Sequence, residues 1–262
     1  MNKVVVITGA SSGIGLALAN KMNEDEYTVI GISRNKPVGI SFDYLECDLT
    51  NNEEIESICK TINSKYRKID ILVNCAGVGT GGAIEEVSSN DLQWVFDVNL
   101  FGTVEIIKNL LPALKTSLNP KIINIGSVAG EITIPFQTSY SMSKSSLQRL
   151  TEGLRIELKQ FNIDACTILP GDTKTGFTSN RKTIIWENST YKENVERSIA
   201  KMEKDEQKGV SPNKVVKVIY KVIKRRRMPI QVVVGLDYKL LVIMSKILPR
   251  RFVEIIITKM YG

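Results

Sequence analysis

The chain has 262 residues, 43% of them apolar, a net charge of +7 and no histidine. That length and apolar content suit one α/β domain with a sizeable core, and no linker or internal repeat divides residues 1–262. Without histidine there is no Ser-His-Asp or Cys-His mechanism, no usual zinc-water centre and no imidazole acid or base, so protons must move through tyrosine, lysine, a carboxylate or water.

The first predicted strand, residues 3–8, carries Val4-Val5-Val6-Ile7 and runs into Thr8-Gly9-Ala10-Ser11-Ser12-Gly13-Ile14-Gly15, with a helix beginning near Ile14. Glycines admit positive φ and close approach of backbone to a pyrophosphate, while the helix start offers free N–H groups to negative charge; this is a site for a dinucleotide. The opening apolar run is too short for a secretory signal, so a cytoplasmic location is expected. A second strand, 28–32, ends in Ser33-Arg34, and a third, 43–47, leads to Asp48-Leu49, where Asp48 also suits a turn or cap before Thr50-Asn51-Asn52. The fourth, 70–74, runs into Asn74-Cys75-Ala76-Gly77, and Asp97-Val98-Asn99 follows.

A fifth strand, 120–126, is followed by Ser127, a hydroxyl at the strand's carboxyl end, where open α/β sheets bind ligands. Tyr140 and Lys144 then open a long helix reaching about Phe161; positions i and i+4 share a face, so Ser127, Tyr140 and Lys144 can converge on one reacting oxygen. A sixth strand, 164–169, leads to Pro170-Gly171-Asp172-Thr173-Lys174-Thr175. Residues 175–207 are polar and charged, with Phe177, Trp186, Tyr191 and Met202 interspersed, and Lys224-Arg225-Arg226-Arg227 ends a helix as a solvated basic cap. No stacking or recognition motif accompanies that cluster, so no nucleic-acid partner is expected. The seventh strand is 230–235. Beyond it, 238–262 reads as two short helices split by Pro249, neither long enough to span a bilayer. Cys47, Cys59, Cys75 and Cys166 show no CxxC spacing and read as reduced, buried thiols.

Strands alternating with helices predict an α/β fold, a parallel sheet covered by helices on both faces, with a C-terminal helical extension.

The glycine turn, Asn74-Cys75-Ala76-Gly77, Asn99, Ser127, Tyr140 with Lys144, and Pro170-Gly171 fall in the order and spacing of a known family. The chain resembles the short-chain dehydrogenases/reductases, in the compact branch with the TGxxxGxG fingerprint; Cys75 replaces the usual second Asn, and Thr173 the usual Val or Ile. The resemblance implies a Rossmann-like, doubly wound sheet of about seven strands and hydride transfer between a nicotinamide and a carbonyl or secondary alcohol. Tyr140 would exchange the proton as a phenolate-forming acid favoured by the Lys144 ammonium, Ser127 would stabilise developing charge, Lys144 would bond the nicotinamide ribose, and Asn99 would hold a relay water.

Gly9, Ser11, Ser12, Gly13, Ile14 and Gly15 would cradle the cofactor, with Asp48 and Leu49 at the adenine, Asn74, Ala76 and Gly77 along its ribose, and Pro170, Gly171, Thr173 and Thr175 at the nicotinamide. Ser33 and Arg34 stand where an NAD site places a carboxylate, and an arginine can hold a 2′-phosphate, so NADP(H) is expected in preference to NAD(H). Residues 175–207 resemble the family's substrate lid. Similar tails occur in members acting on lipophilic alcohols and ketones, and this one is expected to pack on the domain or on a second subunit of a homodimer or homotetramer. The alternative for the tail is peripheral contact with a membrane through its apolar and basic residues. The alternative function, a cofactor-binding regulatory or scaffolding protein, is disfavoured because Asn99, Ser127, Tyr140 and Lys144 are all present.

Overall fold

The computed structural model describes residues 2–177 and 180–261. Seven apolar runs pair side by side, all parallel: β1 (Val4–Thr8), β2 (Thr28–Ser33), β3 (Asp43–Glu46), β4 (Ile71–Asn74), β6 (Lys121–Ile125), β7 (Asp164–Pro170) and β9 (Gln231–Val234). Their order is β3-β2-β1-β4-β6-β7-β9, so the winding reverses between β1 and β4 and opens a crevice beyond their carboxyl ends. All five residues of β1 are buried: Val4 and Val6 join one core cluster, Val5 and Ile7 the other, as strands covered on both faces require.

The first cluster packs α2 (Asn52–Lys65), α4 (Gly102–Lys115) and α5 (Thr138–Glu157) on one face of the sheet; the second packs α1 (Gly13–Glu24) and α7 (Pro212–Ile223) on the other. Helix α3 (Ser89–Phe96) passes into α4 through a π-helical turn, Asp97–Phe101. A third cluster lies at the carboxyl end of the sheet, where α6 (Lys192–Lys208), α8 (Leu236–Ile247) and α9 (Arg250–Tyr261) meet Val128, Ile132 and Leu169. The expected strands and the two tail helices broken at Pro249 are present. A two-residue parallel pair, β5 (Thr80–Gly81) with β8 (Lys182–Thr183), adds a feature without a sequence signal. Met1, Gly262 of the expected extension, and Thr178 and Ser179 of the expected lid lie outside the described residues.

The tail departs from expectation on one side. Val242, Ile257 and Tyr261 are buried against the domain, but Leu240, Ile243, Met244, Ile247, Phe252 and Ile255 face outward. Its apolar residues form two stripes, and docking uses only one.

Candidate active site

The β1–α1 turn carries Gly9 at φ +68° and Gly13 at φ +54°. A Cβ on Gly9 would stand 2.7 Å from the Ala76 backbone nitrogen, and one on Gly15 would stand 2.2 Å from the Gly9 carbonyl oxygen. Only glycine closes this turn against the β4 exit, and the resulting bare backbone is the cradle a pyrophosphate needs. Across it, the Thr8 hydroxyl accepts from the amides of Cys75 and Ala76 at 3.1 and 3.3 Å, so the Cys75 position is held through its backbone.

One cavity of about 610 Å³ runs from this turn to the third apolar cluster. Gly9, Ser11, Ser12, Gly13, Ile14 and Gly15 line it, with Ser33, Arg34, Asp48 and Leu49 toward the ends of β2 and β3. Ala76, Gly77, Ser127, Tyr140 and Lys144 line its middle, and Pro170, Gly171, Thr173 and Thr175 follow β7. Two expected site residues do not line it. Asn74 is buried and donates to Asn124 Oδ1 at 2.8 Å, Asn124 donates on to Thr151, and the network ties β4 to β6 and α5. The Asn74 side chain therefore serves as a strut beneath the site.

Asn99 is fully buried in the π-helical turn, accepting from Val78 N at 2.8 Å and donating to Val78 O and Ser143 Oγ at 2.9 Å each. Ser143 in turn donates to the Tyr140 carbonyl at 2.8 Å. Held in this way, Asn99 braces the helix that presents Tyr140 and Lys144.

The expected reacting groups sit together. Tyr140 opens α5, and the Ser127 hydroxyl hydrogen-bonds to it from the end of β6. Lys144 lies 5.8 Å from the Tyr140 ring centroid and donates from Nζ to the Ile125 carbonyl at 3.0 Å. Burial pushes the Tyr140 phenol up to about 12, against the Ser127 hydrogen bond, which acts to lower it. Burial also pushes Lys144 down to about 8, with no carboxylate among the causes. Desolvation thus outweighs the attraction expected of the lysine, and these residues by themselves hold Tyr140 as a phenol, the form that donates a proton.

Arg34 is exposed on the cavity rim beside Ser33. Ser33 is hydrogen-bonded to Tyr44, whose hydroxyl donates to the Asn35 carbonyl at 2.8 Å. Asp48 Oδ1 accepts from the amide and hydroxyl of Thr50, both at 2.9 Å, so the turn role weighed for it is filled while the residue still borders the cavity.

The opposite end of the cavity joins Phe177 and Met202 of the expected lid to Glu206 and Asp172, which sequence spacing did not single out. Phe177 packs its ring 5.4 Å from that of Tyr140, and Met202 and Glu206 of α6 reach the same space. Glu206 pairs with the buried Arg181. Tyr238 donates to Asp172, whose carboxyl burial holds above its usual range, and Leu241, Ile257 and Tyr261 complete an apolar wall. Tyr191 instead donates to Glu85 at 2.7 Å and anchors its segment to the body.

A family model described as short chain dehydrogenase matches residues 3–184. The chain is 35% identical over 236 residues to a 3-ketodihydrosphingosine reductase of Bacteroides thetaiotaomicron, covering 89% of this chain and 88% of that protein. It is 33% identical over 190 residues to human retinol dehydrogenase 8, covering 67% of this chain and 60% of that one. Among solved structures, a short-chain dehydrogenase from Streptomyces avermitilis superposes with a TM-score of 0.83 at 26% identity, over 94% of this chain and 92% of the other. The chain belongs to the short-chain dehydrogenase/reductase family, the oxidoreductases that bind NAD or NADP.

Proposed function

We propose that the protein is an NADP(H)-dependent reductase of lipophilic carbonyl compounds, also able to oxidise the corresponding secondary alcohols. The observation that carries this reading is the meeting of Ser127, Tyr140 and Lys144 in the same cavity as the glycine turn. The residues fit the cofactor: the turn leaves a cradle that a Cβ would fill, and the cavity continues past Lys144. When bound there, the nicotinamide supplies or accepts a hydride. Tyr140 gives its phenolic proton to the substrate oxygen, Ser127 donates a hydrogen bond to the negative charge developing on that oxygen, and Lys144 bonds the ribose hydroxyls and, as an ammonium, favours the phenolate that Tyr140 becomes.

Arg34 at the rim supports a 2′-phosphate, with Lys36 beside it in the same lining. Lipophilic substrate is supported by Leu241, Ile257 and Tyr261 and by the 3-ketodihydrosphingosine reductase relative. The proposed setting is a cytoplasmic homodimer or homotetramer. Nucleic acid is not a proposed partner: Lys121 at the amino end of β6 donates to the carbonyls of Ile223 and Arg225, which holds the Lys224–Arg227 cluster near the amino ends of the strands, away from the cavity at their carboxyl ends.

Two variants test the reading with NADPH and a long-chain ketone. Tyr140→Phe removes the transferable proton, and kcat should fall by about 10²–10⁴-fold with NADPH affinity nearly unchanged. Turnover near that of the parent enzyme would remove Tyr140 as the acid. Arg34→Asp should lower the ratio of kcat/KM for NADPH to that for NADH by roughly tenfold or more, the scale of a lost charged hydrogen bond; an unaltered ratio would take Arg34 out of the cofactor site.

A further inference from the structure

Helix α8 has two apolar faces. Val242 is buried and Tyr238 and Leu241 reach the cavity, whereas Leu236, Leu240, Ile243 and Ile247, spaced i, i+4, i+7 and i+11, form one continuous stripe of exposed residues. Leu236 and Ile247 are 85% and 76% exposed. Helix α9 repeats the arrangement: Ile257 and Tyr261 are buried, while Phe252 and Ile255 face outward between Arg251 and Lys259. Both helices pack their inner faces on the same cluster, so both outer faces point away from the domain. Contiguous exposed apolar surface of this kind marks an interaction site.

Charge selects the occupant. Residues 236–261 carry five cations, Lys239, Lys246, Arg250, Arg251 and Lys259, against Asp237 and Glu254, and the cations flank the apolar stripe. Lys246 is partly engaged, 3.4 Å from Glu131. A two-fold contact with a second copy would set this basic patch against itself. An anionic bilayer matches both features at once, apolar residues entering the acyl boundary and the cations meeting phosphate. No helix among the described residues is long and apolar enough to cross a membrane, which leaves attachment in the plane of the interface.

We propose that the outer face of α8 and α9 binds the surface of an anionic phospholipid bilayer. The same two helices wall the far end of the cavity with Leu241, Ile257 and Tyr261, so attachment brings the cavity beside the lipid from which an apolar substrate would enter. That delivery rests on the function proposed above; the attachment does not.

The test is flotation of the full chain with vesicles of phosphatidylcholine alone or mixed with phosphatidylglycerol, without substrate or cofactor, beside analytical ultracentrifugation without lipid. The full chain should float with the anionic vesicles and remain behind with phosphatidylcholine. Arg250→Gln with Arg251→Gln should weaken binding by roughly thirtyfold, at the scale of two lost lysine or arginine contacts with an anionic surface. Leu240→Glu with Ile247→Glu, both outside the cavity lining, should abolish flotation while leaving the sedimentation coefficient and reductase activity on a water-soluble ketone unchanged. No flotation of the parent chain, or flotation indifferent to both double variants, would overturn the proposal. So would loss of a dimer in Leu240→Glu with Ile247→Glu, which would make this face a contact between copies. Reductase activity is read separately, so failure of the catalytic reading leaves the vesicle result standing.

Discussion

Lys144 is the residue most at odds with its surroundings. Its ammonium is buried in α5 with a backbone carbonyl as acceptor, and burial alone brings it down to about 8 from the 10.5 of a free lysine. A group whose folded value lies below its unfolded value holds fewer protons when folded between those two limits, so its charged form opposes folding below pH 8 and ceases to do so as pH rises toward 10.5. At pH 7 the opposition is on the order of 3 kcal/mol. Lys144→Met should therefore be inactive yet more stable than the parent at pH 7, and its advantage in denaturant melts should shrink between pH 8 and 10.5. Made in a Cys75→Ser background, because Lys144 and Cys75 act on each other, the comparison cancels the tyrosines and Cys47, Cys59 and Cys166, whose burial raises them and acts in the opposite sense at alkaline pH. A variant no more stable than the parent at pH 7, or with an advantage independent of pH, would show that Lys144 is well accommodated in the apo site. A site that retains such a lysine puts stability second to chemistry.

At the scale of elements, what was legible was what repeats locally. Strands such as Val4–Thr8 are buried on both faces, so their apolar runs are continuous, and glycines at fixed spacing mark the turn because Gly9 and Gly15 have no room for a Cβ. Ser127, Tyr140 and Lys144 could be read because a strand end and one helical turn bring them together. Phe177, Glu206, and Asp172 with Tyr238 reach the cavity from segments far apart in the chain, and no local period records such meetings. The π-helical turn inserts a wider loop into an otherwise continuous helix, which apolar spacing does not show, and it is this turn that aims Asn99 at Val78 and Ser143 instead of solvent. Asn74 shows a related limit: its side chain finds Asn124 on the neighbouring strand, a partner that no local spacing announces. In the tail, apolar periodicity was correct but ambiguous, since a helix with apolar residues on both faces announces burial without saying which face is buried.

The whole molecule joins the proposed cofactor end of the cavity to the proposed substrate end, built from different parts of the chain. The doubly wound sheet supplies the glycine turn and the reacting residues, whereas α6, α8 and α9 supply the apolar wall, and Tyr238, with its ring against Gly171 and its hydroxyl on Asp172, fastens one to the other. These parts should separate under mutation. Deletion of 236–262 removes Leu241, Ile257 and Tyr261 from the wall and leaves the β1–α1 turn untouched. NADPH affinity by fluorescence should survive, while KM for a long-chain ketone should rise by roughly tenfold, as loss of one or more apolar wall contacts requires, with a short ketone affected far less. The deletion also bares Val128, Leu169 and Met202, so a lower melting temperature and aggregation are expected with it. Ile257→Ser keeps the helices in place and makes the same contrast between long and short ketones on a folded chain. Equal losses for both ketones, or a collapse of NADPH binding in Ile257→Ser, would mean that the tail supports the cofactor end and is no part of a separate substrate wall.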